Sequence, residues 1–168
     1  MTDRFGNNPL QRIGILGGMF NPVHNGHLRV AVECKEAFAL DELRMFPCAE
    51  PPHRKAPVVD SQQRLKMLEL ALEHVDGVRA DGRELERLGP SYTVDTLSSL
   101  KVDFPKASFF LIIGSDSFQN FTQWHEWEKI LEYSNIIIAQ RPDNQEDLSS
   151  DVGQLLKERF TTEINSFI

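Results

Sequence analysis

Gly17-Gly18-Met19-Phe20-Asn21-Pro22-Val23-His24-Asn25-Gly26-His27 joins a short apolar run, Ile13-Gly14-Ile15-Leu16, to a helical pattern that opens near Leu28. A strand, a glycine turn and a helix start in that order suit a nucleotide phosphate. Glycine has no Cβ, so the backbone at Gly17 and Gly18 can approach an anion closely. The helix start offers unpaired N–H groups and the positive end of the helix dipole. His24 and His27 are three residues apart and so share one face of the first helical turn.

Outward from this stretch, strands and helices alternate. Arg12–Leu16 reads as a strand, Leu28–Ala39 as a helix and Leu43–Pro47 as a second strand. The proline-rich segment Glu50–Asp60 reads as loop, because proline removes backbone donors. Asp60 or Ser61 then caps a helix running to about His74. Val78–Ala80 is a weak, short strand. Gly89-Pro90-Ser91 breaks the chain before a helix over Tyr92–Leu100. Ser108–Ile113 is apolar on both faces, as in a buried central parallel strand. Gly114-Ser115-Asp116-Ser117 ends it. Trp124–Tyr133 reads as helix, Asn135–Ala139 as a buried strand and Val152–Phe160 as a last helix.

This alternation predicts an α/β doubly wound parallel sheet joined by right-handed crossovers, in a single domain over 1–168. Ligands then sit at the carboxyl ends of the strands, at the switch point. Two strand ends compete for that place, Gly17-Gly18 and Gly114-Ser115-Asp116-Ser117. As neighbours they form two walls of one site. Gly14 and Gly17 do not have the G-x-G-x-x-G spacing, which disfavours a dinucleotide oxidoreductase. Gly-Ser-Asp-Ser is not a nucleophile elbow, which argues against a serine hydrolase.

Composition narrows the class. The chain has 168 residues, 40% hydrophobic and 26% charged, which suits a globular domain with a proper core. No apolar run approaches the length of a membrane span, and the N-terminus lacks a signal-peptide core. Cys34 and Cys48 have no metal spacing, so a reducing cytoplasm is the expected setting. A net charge of −7 argues against a general nucleic-acid binder. Positive groups must therefore gather locally, as in Pro51-Pro52-His53-Arg54-Lys55 and near His24 and His27.

Gly17–His27, with His24-Asn25-Gly26-His27 at its end, resembles the signature of the HxGH nucleotidyltransferases. More narrowly, the chain resembles the bacterial nicotinate mononucleotide adenylyltransferases. Pro51-Pro52-His53-Arg54, Gly89-Pro90-Ser91-Tyr92-Thr93, Ile113-Gly114-Ser115-Asp116-Ser117 and Trp124 followed by Arg141-Pro142 carry that narrower match, in the family's order. Phosphopantetheine adenylyltransferases and cytidylyltransferases share the HxGH element, but neither explains Gly89–Thr93 together with Trp124.

The resemblance implies a Rossmann-like fold. It also implies adenylyl transfer from ATP to nicotinate mononucleotide, with Mg²⁺, release of pyrophosphate and no covalent intermediate. It implies that His24 and His27 are catalytic donors to the ATP phosphates. Gly17, Gly18, Met19 and Phe20 line the nucleotide site through their backbones, and Asp116 binds ribose hydroxyls or assists the metal-bound nucleotide. Asn21, which stands where many relatives have Asp, belongs with the mononucleotide side, as do His53, Lys55, Tyr92, Thr93, Trp124 and Arg141. Tyr92 and Thr93 offer helix N–H groups to the nicotinate carboxylate, Trp124 stacks on the pyridine ring, and Arg141 takes phosphate. Each has a plainer reading as well: caps for His24, Ser91, Thr93 and Asp116, a core anchor for Trp124, and surface charge for Arg54 and Arg141. Trp127 is assigned to packing, and Cys34, Cys48, His74 and His125 to structural or incidental roles. No protein-held metal site is expected.

Relatives continue past this C-terminus with a further strand and a Ser/Thr-Ile-Arg motif that opens a helix. Thr161–Asn165 echoes the motif only faintly, with Asn165 in place of Arg. The expectation is a sheet without its last strand and helix, and a phosphate site without one charge-assisted contact. The alternative function is a weakly active or non-catalytic nucleotide-binding module.

Overall fold

The computed structural model describes residues 11–49 and 59–139, together with the backbone of 165–167. Six strands form one sheet in the order β3-β2-β1-β4-β5-β6. They are β1 (Arg12–Gly18), β2 (Glu42–Pro47), β3 (Val78–Ala80), β4 (Ser108–Gly114), β5 (Ser134–Ala139) and β6 (Asn165–Phe167). Every pairing is parallel. The helices are α1 (Asn25–Ala37), α2 (Ser61–Leu72), α3 (Thr93–Asp103), α4 (Ser115–Gln119) and α5 (Trp127–Tyr133).

The pleat sends alternate residues of each strand to opposite faces. Ile13, Ile15, Phe46, Phe109, Leu111, Ile113, Ile136 and Ile138 face a core closed by Val94, Leu97 and Leu100 of α3, Phe118 and Ile130. Leu43, Met45, Val78, Phe110, Ile112 and Ile137 face a second core closed by Ala31 and Cys34 of α1 and Leu68 and Leu72 of α2. The sheet is therefore wound on both sides, as the alternation predicts. The chain leaves β1 toward β2 and β3 on one side and returns to β4 on the other. The topological switch lies between β1 and β4.

Several boundaries differ from the sequence reading. α1 begins at Asn25, three residues early, so His24 is its N-cap and His27 lies in its first turn. Of the two caps offered for α2 the structure uses Asp60, as the sequence reading allows, which accepts the Gln62 and Gln63 N–H groups at 2.7 and 3.4 Å. α5 starts at Trp127, so Trp124 is outside the helix, in extended backbone after a 3₁₀ turn over Phe121–Gln123. Asp116 is inside α4, whose N-cap is Gly114, so it is not the cap. A short strand, β6, adds to the edge of β5, with Ile137–Ala139 opposite Asn165–Phe167. Three residues are too few for an alternation pattern to be read from sequence. Val152–Phe160 falls outside the described residues.

Candidate active site

β1 and β4 are hydrogen-bonded neighbours, with Leu16 opposite Ile112. Gly17 and Gly114 lie just beyond that pair, both exposed at the carboxyl edge. A Cβ built on either would meet nothing within 4 Å, and neither has positive φ. Neither glycine is required by local packing, so the missing side chains leave the crevice between the strand ends clear. Two other glycines serve the fold instead. A Cβ at Gly14 would stand 2.7 Å from Leu40 Cδ1, and one at Gly18 would stand 2.9 Å from the Phe20 ring. Phe20 holds φ 44° and is 1% exposed, so its backbone turns beside the crevice while its ring joins the core.

The turn leads straight into α1. His24 Nα–H donates to His27 Nδ1 at 3.3 Å. The two imidazoles stack at 3.7 Å with 26° between planes, and the Phe20 ring meets His27 edge-on at 5.0 Å. Burial, then the neighbouring His24, lowers the His27 pKa below its ordinary value of 6.5. At neutral pH the ring is neutral, with Nδ1 as acceptor and the proton on Nε2. α1 carries no acidic residue in its first turn. The helix start therefore presents donors and a favourable dipole to an anion.

β2 ends beside β1, where Cys48 N–H donates to Gly18 O at 2.9 Å. The next residue, Ala49, donates its N–H to Ser91 Oγ at 3.1 Å, which brings the Gly89–Tyr92 turn to the same edge. Ser91 does not cap α3. Tyr92 is the N-cap of α3 and makes no side-chain capping bond. Behind the turn lies Glu84, 8% exposed, accepting from Thr96 Oγ1 at 2.7 Å. Burial pushes the Glu84 carboxyl up, and bonds from Thr96 and Ser91 and the charge of Arg87 offset part of that shift.

Aromatic rings cluster around the start of α3 and the turn before α5. The Tyr92 and His125 rings lie 4.3 Å apart, tilted by 31°. Phe121 is fully buried between Trp124 at 5.5 Å and Trp127 at 6.2 Å. Both tryptophans are half-buried against the same core, so packing does not separate their roles as the sequence reading does. Exposed Asp116 sits at the β4 end of the crevice. Exposed Asn21 lines a shallow hollow with Pro22, Met67 and Leu70. His53, Arg54, Lys55 and Arg141 lie outside the described residues.

The sequence reading does not single out Arg64 or Glu84, and it assigns His125 to a structural or incidental role. Arg64 had a legible signal, since it stands on the same helical stripe as Leu68 and Leu72, and all three are buried. Neither cysteine is an activated nucleophile. Burial pushes Cys34 up to about 11 and also raises Cys48.

A glycine-lined crevice at the switch point, with a histidine pair at a helix start, defines a nucleotide-binding α/β protein. The sequence profile of the cytidylyltransferase-like family matches residues 15–168. "Probable nicotinate-nucleotide adenylyltransferase" of Methylococcus capsulatus is 47% identical over 152 residues, covering 90% of this chain and 72% of that protein. The protein of the same name from Pseudomonas paraeruginosa is 48% identical over 150 residues, covering 89% and 70%. The chain belongs to the cytidylyltransferase-like family and, within it, to the nicotinate-nucleotide adenylyltransferases, a group of nucleotidyltransferases. Plasmodium falciparum nicotinic acid mononucleotide adenylyltransferase complexed with NaAD shares the fold, with a TM-score of 0.73 at 20% identity over 94% of this chain and 75% of that one.

Proposed function

We propose that this protein transfers the adenylyl group of ATP to nicotinate mononucleotide, giving the deamido dinucleotide and pyrophosphate. The observation that carries the reading is the pair of glycines, Gly17 and Gly114, facing open space on adjacent strand ends. On one side stand His24 and His27 at the start of α1. On the other stand the uncapped start of α3 and the rings of Tyr92, His125 and Trp124. The polyphosphate lies against the Gly17–Phe20 turn and the α1 start. The pyridine stacks on Trp124, and its carboxylate faces the Tyr92–Thr93 N–H groups. His53, Lys55 and Arg141 are assigned to the mononucleotide by the resemblance, as is Asn21.

The mononucleotide phosphate attacks the α-phosphorus of ATP in line, and the bond to pyrophosphate breaks. No side chain need form a bond. His27, neutral with its proton on Nε2, donates to a phosphate oxygen as negative charge shifts toward the leaving group. His24 stands beside it as a second donor. Asp116, by the same resemblance, binds ribose hydroxyls or assists the metal-bound nucleotide.

Among the described residues no cluster of three or more His, Cys, Asp or Glu is arranged to hold a metal ion. Mg²⁺ fits this site as a passenger on the ATP phosphates, which is how it commonly binds, keeping several of its waters. It supplies neutralisation of phosphate charge. The test is pyrophosphate release with ATP, Mg²⁺ and nicotinate mononucleotide. Turnover is expected, and faster than with the amide form. ATP binding without pyrophosphate release would leave only a binding module.

A further inference from the structure

Arg64 is fully buried, yet no carboxylate among the described residues pairs with it. Its guanidinium instead donates to three backbone carbonyls. Nη1 reaches Met19 O at 2.6 Å, Nη2 reaches Cys48 O at 2.7 Å and Nε reaches Val59 O at 3.3 Å. Those carbonyls belong to the glycine turn after β1, the end of β2 and the residue before the α2 cap. Cys48 N–H also donates to Gly18 O at 2.9 Å. Gly18, Cys48, Arg64 and Met19 therefore form one closed ring of hydrogen bonds behind the turn.

Burying a guanidinium without an acid is costly, and an apolar residue would fill the same stripe of α2 more cheaply. Only the planar fork of arginine serves three carbonyls at once, and lysine cannot reproduce it. The charge is left over after those bonds are made. Its field adds to the α1 dipole on the side of the turn where an anion binds.

We infer that Arg64 is a positioning residue for the polyphosphate. It holds the Gly18–Met19 backbone in place and supplies a buried positive charge behind it. The inference rests on the reading of that turn as the ATP wall.

Arg64→Lys and Arg64→Met test it, with kcat and KM for ATP expressed per folded molecule and folding followed by circular dichroism. Both variants should lose at least about tenfold in kcat/KM for ATP. Arg64→Met should lose more, because charge and fork both go. ATP affinity by calorimetry should fall in parallel. If the wild type binds ATP but never releases pyrophosphate, the functional reading fails while calorimetry still tests Arg64. If neither variant folds, the wild type labelled with ¹⁵N-arginine supplies the test. Arg64 guanidinium resonances should be protected from exchange and should shift on addition of ATP. Wild-type kcat/KM in the folded variants, or an unmoved Arg64 resonance under saturating ATP, overturns the inference.

Discussion

His27 Nδ1 accepts the backbone N–H of His24 at 3.3 Å, while the two rings stack at 3.7 Å. One bond thus does two things. It closes the first turn of α1, in the manner of a capping box, and it sets the tautomer of His27. A helix cap and a phosphate donor are usually weighed as rival readings of a histidine at such a position. Here the cap uses Nδ1 and leaves Nε2–H for a ligand, so the two roles need each other.

A pH dependence follows. Burial, then His24, depresses the His27 pKa in the folded chain below 6.5. The unfolded chain therefore takes up its proton first as pH falls. Stability should drop as pH falls through 6.5, and level off below the folded value. Protonation also puts a hydrogen on Nδ1, which then no longer accepts the His24 N–H. The acid limb of kcat should accordingly fall below pH 6.5. A pH–rate profile and thermal melts between pH 5 and 8 measure both effects. An acid limb that persists unchanged in His27→Gln would assign it elsewhere.

His24→Ala separates the two histidines. His24 is exposed and caps α1 with extended backbone that alanine can adopt. Loss of a good cap costs about 1 kcal/mol. The His24 backbone N–H still reaches His27 after the substitution. Folding should survive, with a melting temperature a few degrees lower. Turnover should fall by roughly 10²-fold or more, the scale of losing one preorganised donor. Unchanged turnover in a folded His24→Ala would remove it from the chemistry.

Much of this arrangement is legible in the chain. Ile13–Leu16 of β1, Phe109–Ile113 of β4 and Ile136–Ala139 of β5 are apolar runs because both faces of the sheet are covered, and such runs betray buried parallel strands, whereas β2 carries Glu42 and Arg44. Gly17 and Gly114 mark the strand ends, but their adjacency is a fact of sheet order, which comes only with β4 returning beside β1. The pattern around Trp124 predicts a helix that includes it. The actual break depends on Glu126, which caps α5 with φ 49°. A glutamate gives no local signal for that left-handed conformation. Arg64 is the opposite case. Its charge on an apolar stripe is visible in sequence, but its partners are backbone carbonyls from three distant segments, which no side-chain motif records.

The four glycines around β1 and β4 should respond differently to one methyl group. Gly17→Ala and Gly114→Ala add a Cβ in open space at ordinary φ, so stability should hold or rise by about 0.5 kcal/mol. Their turnover should fall at least tenfold, because the methyl stands where substrate passes between the strand ends. Gly14→Ala drives a Cβ to 2.7 Å from Leu40 Cδ1, and Gly18→Ala to 2.9 Å from the Phe20 ring. Both should lose about 1–3 kcal/mol by overpacking. Chemical denaturation beside steady-state rates shows whether the two pairs divide in this way.

Trp124 and Trp127 both flank Phe121, at 5.5 and 6.2 Å, and both are half-buried. If Trp124 holds the pyridine ring, its replacement should act on one substrate only. Trp124→Leu keeps apolar bulk against Phe121 but removes the π face, a loss of about 0.5–1.5 kcal/mol in stacking. KM for nicotinate mononucleotide should rise about three- to tenfold, while KM for ATP stays within twofold. Trp127→Leu should lower the melting temperature and leave both KM values in place. In the proposed reading the pyridine carboxylate faces the Tyr92–Thr93 N–H groups, so a change in acid-over-amide preference should accompany Trp124→Leu and not Trp127→Leu. Equal shifts in the two KM values for Trp124→Leu would mean that this tryptophan, like its neighbour, only packs.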